Sequence, residues 1–117
     1  MKISSRQVNG ITVVDLSGRI TVGEGSTALR NTVQELVSNG QTNILLNLAK
    51  VEAIDSAGIG ELVSALTDAR RQGGELKLLK LTGKVRDLLH ITKLHAVFDV
   101  EDDEASALSA FKNKAAV

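Results

Sequence analysis

The spacing of apolar residues changes period several times along this chain, and each change predicts a new element. Ile3 to Val8 and Ile11 to Leu16 read as two strands across a tight turn at Asn9-Gly10, where both residues tolerate positive φ. Gly18 to Gly25 reads as a loop. Leu29, Val33, Leu36 and Val37 then follow the i, i+4, i+7, i+8 rule, which predicts an amphipathic helix over Ser26 to Ser38. Gly40 is placed to end it in a left-handed cap. Ile44-Leu45-Leu46-Asn47-Leu48 is a nearly continuous apolar run, as suits a central strand covered on both faces.

A short loop from Ala49 to Ile54 leads to Asp55-Ser56-Ala57-Gly58 and a second helix, with Ile59, Leu62, Val63 and Leu66 on one side. Gly73-Gly74 stops that helix, and Glu75 to Leu81 gives another strand. A third helix near Gly83 to Ile91 turns Val85, Leu88 and Leu89 inward, and Ala96 to Val100 reads as a short last strand. Asp102 or Asp103 starts a terminal helix packed through Ala105, Leu108 and Phe111. The order is ββαβαβαβα. A hairpin followed by strand–helix alternation predicts an α/β fold: a mixed, mostly parallel sheet of about five strands flanked by about four helices. All 117 residues read as one domain.

Composition narrows the function. Lys plus Arg and Asp plus Glu both number 14, so the formal net charge is zero. Nucleic-acid binding needs an excess of positive charge to displace counterions, and Phe98 and Phe111, the only aromatics, offer no base-stacking platform. Cysteine is absent, which removes disulfides and thiolate metal sites and fits a reducing compartment. Met1 to Val8 alternates polar and apolar residues, unlike a signal peptide. No apolar run approaches the roughly 20 residues of a membrane helix. A cytoplasmic protein without direct membrane insertion is expected.

Chemistry in open α/β sheets gathers where strand ends meet helix starts, and Val51 to Gly60 is such a place. Asp55 or Ser56 can cap the second helix, whose positive end would favour an anion. Gly58 and Gly60 would leave its backbone open to a partner, so Gly58→Trp is expected to spare folding and weaken binding. Glu61, Ser64 and Thr67 fall on the side opposite Leu62 and Leu66. Ordinary capping and a solvated helix face explain the same residues without any ligand.

Catalytic and cofactor readings find less support. Gly58-Ile59-Gly60 fails as a dinucleotide fingerprint because Val63 stands at the third glycine position. Ser56 is no nucleophile elbow, since Ile54 takes the first glycine position. His90 and His95 are five apart, a poor spacing for a shared metal on one helical face. Glu101 to Glu104 and Arg70-Arg71 read as charges complementing helix ends. No cofactor, metal or enzymatic activity is expected.

Ile54-Asp55-Ser56-Ala57-Gly58-Ile59-Gly60, following an apolar strand, resembles the corresponding segment of the STAS domain family, in particular the bacterial anti-sigma factor antagonists. The likeness takes in Leu16-Ser17-Gly18-Arg19-Ile20, the strand Ile44 to Leu48, the Gly-Gly turn and the strand Leu76 to Leu81. The resemblance implies a loop that docks on an anti-sigma factor which is also a serine kinase. That docking releases the sigma factor. The kinase then phosphorylates a Ser or Thr just before the loop glycine, and a partner phosphatase resets the switch. By this likeness Asp55, Ser56, Ala57, Gly58, Ile59, Gly60, Glu61 and Ser64 form the partner-binding set.

Here the residue before Gly58 is Ala57, which has no hydroxyl, and Thr21 stands where the family often carries an acidic residue after the second strand. Two outcomes stay open: an antagonist that escapes phosphorylation, which Ala57 favours, or one in which Ser56 is the substitute acceptor. An accessory subunit of a lipid or anion transporter and a phosphate- or nucleotide-binding module are the alternatives.

Overall fold

The computed structural model describes the backbone of residues 1–115 and the side chains through Phe111. Strands β1 (Lys2–Val8), β2 (Ile11–Ile20), β3 (Asn43–Ile54), β4 (Glu75–Leu79) and β5 (Val100–Glu101) lie in that order in one sheet. The β1–β2 pair is antiparallel and the other three pairings are parallel. Helices α1 (Glu24–Ser38), α2 (Ser56–Arg71), α3 (Gly83–Ile91) and α4 (Glu104–Ala115) complete the order ββαβαβαβα. The expected α/β class and mixed sheet are present.

The sheet separates two unequal cores. Leu29 and Val33 of α1, Leu62 and Leu66 of α2, and Val85 and Leu89 of α3 pack with Val14, Ile44, Leu46 and Leu78 of the sheet. On the other face, Ala107 and Phe111 of α4 meet Ile11, Val13, Leu45 and Leu79. The apolar run of β3 is thereby divided, Leu45 to one face and Ile44 and Leu46 to the other, as the alternation of a strand requires. Ala105 was expected to pack and is exposed; the neighbouring Ala107 takes the inward position.

Three helices end in the same way. The N–H of Gln41, Gly74 and Leu94 returns to the carbonyls of Leu36, Ala69 and Leu89, and the residue before each has positive φ. Gly40 and Gly73 fill two of those positions as the sequence suggested, while Lys93, at φ 61°, fills the third. Leu94 packs against the core cluster that contains Leu89.

Both long parallel strands outrun their sequence estimates. β2 continues past Leu16 to Ile20 and β3 past Leu48 to Ile54, so segments expected to be loops are strand. Polar Ser17, Arg19, Lys50 and Glu52 hide the apolar alternation, which reappears in buried Ile20, Leu48 and Val51. Register irregularities between Asp15 and Ser17 and between Gly18 and Arg19 absorb the mismatch. α1 correspondingly begins at Glu24, two residues before the expected Ser26. β4 stops at Leu79 and not at Leu81, because Lys80 adopts φ 57°. β5 is Val100–Glu101 and not Ala96–Val100, since residues 95–97 turn off α3.

Candidate functional site at the amino end of the second helix

Ile20 and Ile54 are register partners, so the extensions of β2 and β3 finish side by side. The β2–α1 loop therefore lies against the start of α2. Asp55, in extended backbone conformation, is the cap. Its Oδ1 accepts the Gly58 N–H at 3.0 Å and its Oδ2 accepts the Val22 N–H at 2.9 Å. These bonds, led by that from Val22, hold the Asp55 carboxyl below its ordinary range. The Asp55 N–H in turn reaches the Ile20 carbonyl at 3.4 Å. One residue thus ties the helix start to two points of the β2 end.

Two glycines permit this convergence. A Cβ on Gly58 would run into the Ile20 carbonyl oxygen and approach Ile54 Cγ1 to 2.7 Å. A Cβ on Gly25 would run into the Arg19 carbonyl oxygen and come within 3.2 Å of Ile20 Cα. Each glycine lets a helix start press on the β2 backbone. Gly58 is therefore buried, and the expectation that it opens to a partner and accepts tryptophan is overturned by packing. Ile59 also turns inward, 4% exposed, into the main core.

The remaining residues singled out in the sequence divide by side. Ser56, Gly60, Ser64 and Thr67 are exposed, and Asp55 and Ala57 are half-buried. A Cβ on Gly60 would meet nothing within 4 Å. The Glu61 side chain is only 11% exposed and is engaged by Arg30 of α1, whose Nε donates at 2.8 Å and Nη2 at 3.2 Å. Glu61 thus braces α2 against α1 instead of projecting freely. A shallow depression of about 180 Å³ between those helices is lined by Arg30, Gln34, Glu61, Ser64 and Asp68.

Sequence reasoning missed Val22, 77% exposed and placed beside Asp55. Nothing in its local pattern marks it. Only the long-range Val22–Asp55 bond brings it to the site.

The geometry also bears on the other chemistries considered. The positive end of α2 already faces the Asp55 carboxylate, so an added phosphate there would meet a like charge. His90 and His95 come together with ring centroids 4.2 Å apart, because the chain reverses at the α3 cap. Among the described residues no group of three or more His, Cys, Asp or Glu could hold a metal ion, and no helix is long and apolar enough to cross a membrane.

The STAS domain family model matches residues 2–107. The chain belongs to the STAS family. Among its relatives, a putative anti-sigma factor antagonist of Bordetella bronchiseptica, BtrV, is 26% identical over 112 residues, covering 96% of both chains. The anti-sigma-B factor antagonist of Bacillus subtilis is 31% identical over 87 residues, 74% of this chain and 78% of that protein. The STAS fold itself matches the crystal structure of a putative anti-sigma factor antagonist from Thermotoga maritima, with a TM-score of 0.87 at 23% identity over 94% of both chains.

Proposed function

We propose that this STAS domain is a cytoplasmic anti-sigma factor antagonist that acts by binding and not by catalysis. It docks the exposed amino end of α2 on an anti-sigma factor of the serine-kinase type and so frees a sigma factor. The observation that carries this is the contrast between two glycines. Gly58 has an internal steric reason to be glycine, and Gly60 has none. Glycine within a helix costs roughly 0.5–1 kcal/mol relative to alanine. An open Gly60 beside exposed Ser56 and Ser64 suits close approach by another protein. The names of the relatives point to the same class of partner.

The half-buried Ala57 offers no hydroxyl at the family's acceptor position, so docking is not reversed there by phosphorylation or reset there by a phosphatase. Regulation then falls to abundance. The test is direct binding to purified anti-sigma factors from the genome that encodes this chain, followed by intact-mass measurement after incubation with ATP. One of them binds, Gly60→Trp weakens the complex at least tenfold, or about 1.4 kcal/mol, and no phosphate is gained. A phosphate found on Ser56 would overturn the escape from phosphorylation. Binding to a transporter's ATPase subunit in place of any anti-sigma factor would overturn the antagonist reading.

A further inference from the structure

Val22 is the most exposed of the large apolar side chains described, at 77%. A single exposed aliphatic residue is ordinary on a protein surface, but this one sits on a loop fixed from several directions. Its own N–H is held by Asp55 Oδ2 at 2.9 Å. The flanking Ile20 and Thr21 carbonyls accept the N–H groups of Asp55 and Ser26, and the Gly23 carbonyl accepts that of Thr27. Gly23 adopts φ 98°, a left-handed conformation, to turn the chain into α1. Fixing the loop backbone before binding reduces the entropy lost on association.

The bond to Asp55 also makes the Val22 loop continuous with the Ser56–Gly60 surface. Asp55 needs only Oδ1 to cap α2. Its second oxygen accepts the Val22 N–H.

Resting on the antagonist reading above, we propose that Val22 is an apolar anchor of the same docking face, inserted into a recess of the anti-sigma factor. Asp55 is its positioning residue. The face then spans two segments distant in sequence, the β2–α1 loop and the start of α2. Asp55 sets the distance between them.

Asp55→Asn separates the two roles of the carboxylate. Asparagine caps helices about as well as aspartate, so its Oδ1 can still accept the Gly58 N–H. Its amide nitrogen is a donor and cannot accept the Val22 N–H. The expected result is a folded protein whose Val22 amide exchanges with solvent at least tenfold faster, and whose affinity for the purified anti-sigma factor falls at least tenfold. Val22→Asp, at an exposed position, gives a comparable loss of affinity, and wild-type exchange of its residue-22 amide checks that the backbone bond to Asp55 is kept. Unchanged exchange of the Val22 amide in Asp55→Asn would overturn the positioning role whatever partner binds. Wild-type affinity in Val22→Asp, with Gly60→Trp still impaired, would overturn the anchor and leave the antagonist reading intact. Wild-type affinity in all three variants would overturn the docking face, and no anti-sigma factor bound by the native chain would overturn the antagonist reading itself.

Discussion

A methyl group at Gly58 has nowhere to go, because the Ile20 carbonyl and Ile54 Cγ1 already occupy its space. Gly58→Ala is therefore expected to lower stability by about 1–3 kcal/mol, the usual range for overpacking a closed site. Gly60→Ala, two positions on, is expected to raise stability by about 0.5–1 kcal/mol through helix propensity alone. Chemical denaturation of the two variants tests the pair, and similar effects of the same sign would contradict the packing described. Asp55 adds a pH signature. A carboxyl held below its unfolded value stabilises the fold above that value and loses the contribution as pH falls through the folded one. Its ordinary value is 3.8, and the Val22 and Gly58 N–H groups lower it. Part of the stability should thus vanish below about pH 4, and Asp55→Asn should flatten that part of an acid-unfolding profile.

Among the elements, α4 and the α3 cap stand apart. Arg6 of β1 joins Asp15 of β2, at 2.9 Å from Nε to Oδ2, to Glu104 in the first turn of α4. Lys77, its side chain 7% exposed, pairs with Asp99 at 2.8 Å and lies 5.5 Å from the Phe111 ring centre. Asp103, one residue of the acidic run, caps α4 by accepting the Ser106 N–H at 3.0 Å. This helix covers the smaller core, so Phe111→Ala, expected to cost about 3–5 kcal/mol, should raise amide exchange in α4 before it does in α2. Equal acceleration in both helices would show that the two faces open as one. At the α3 cap, Lys93 holds a left-handed conformation that costs a non-glycine residue roughly 1–2 kcal/mol. Lys93→Gly should recover about 1 kcal/mol in thermal or chemical denaturation.

Across the whole molecule, the hydrophobic period was enough to give the order ββαβαβαβα, the type of each element, and the aliphatic core. The periods of 2.0 and 3.6 are local geometry, and each is carried by neighbouring residues. The glycine caps at Gly40 and Gly73, the Asp55 cap and the resemblance at Ile54 to Gly60 were legible for the same reason. The ends of β2 and β3 were not, because polar Ser17, Arg19, Lys50 and Glu52 are set among their buried residues. Whether such a stretch remains strand depends on its neighbour in the sheet. The inward turn of Gly58, the bracing of Glu61 by Arg30 and the arrival of Val22 beside Asp55 were likewise decided only by tertiary structure. Each involves partners about 30 or more residues apart, brought together when two parallel strands ended in register. Sequence determined which segment could form a surface. Long-range packing decided which of its atoms face outward, because exposure is a property of what lies across the contact and not of the residue alone.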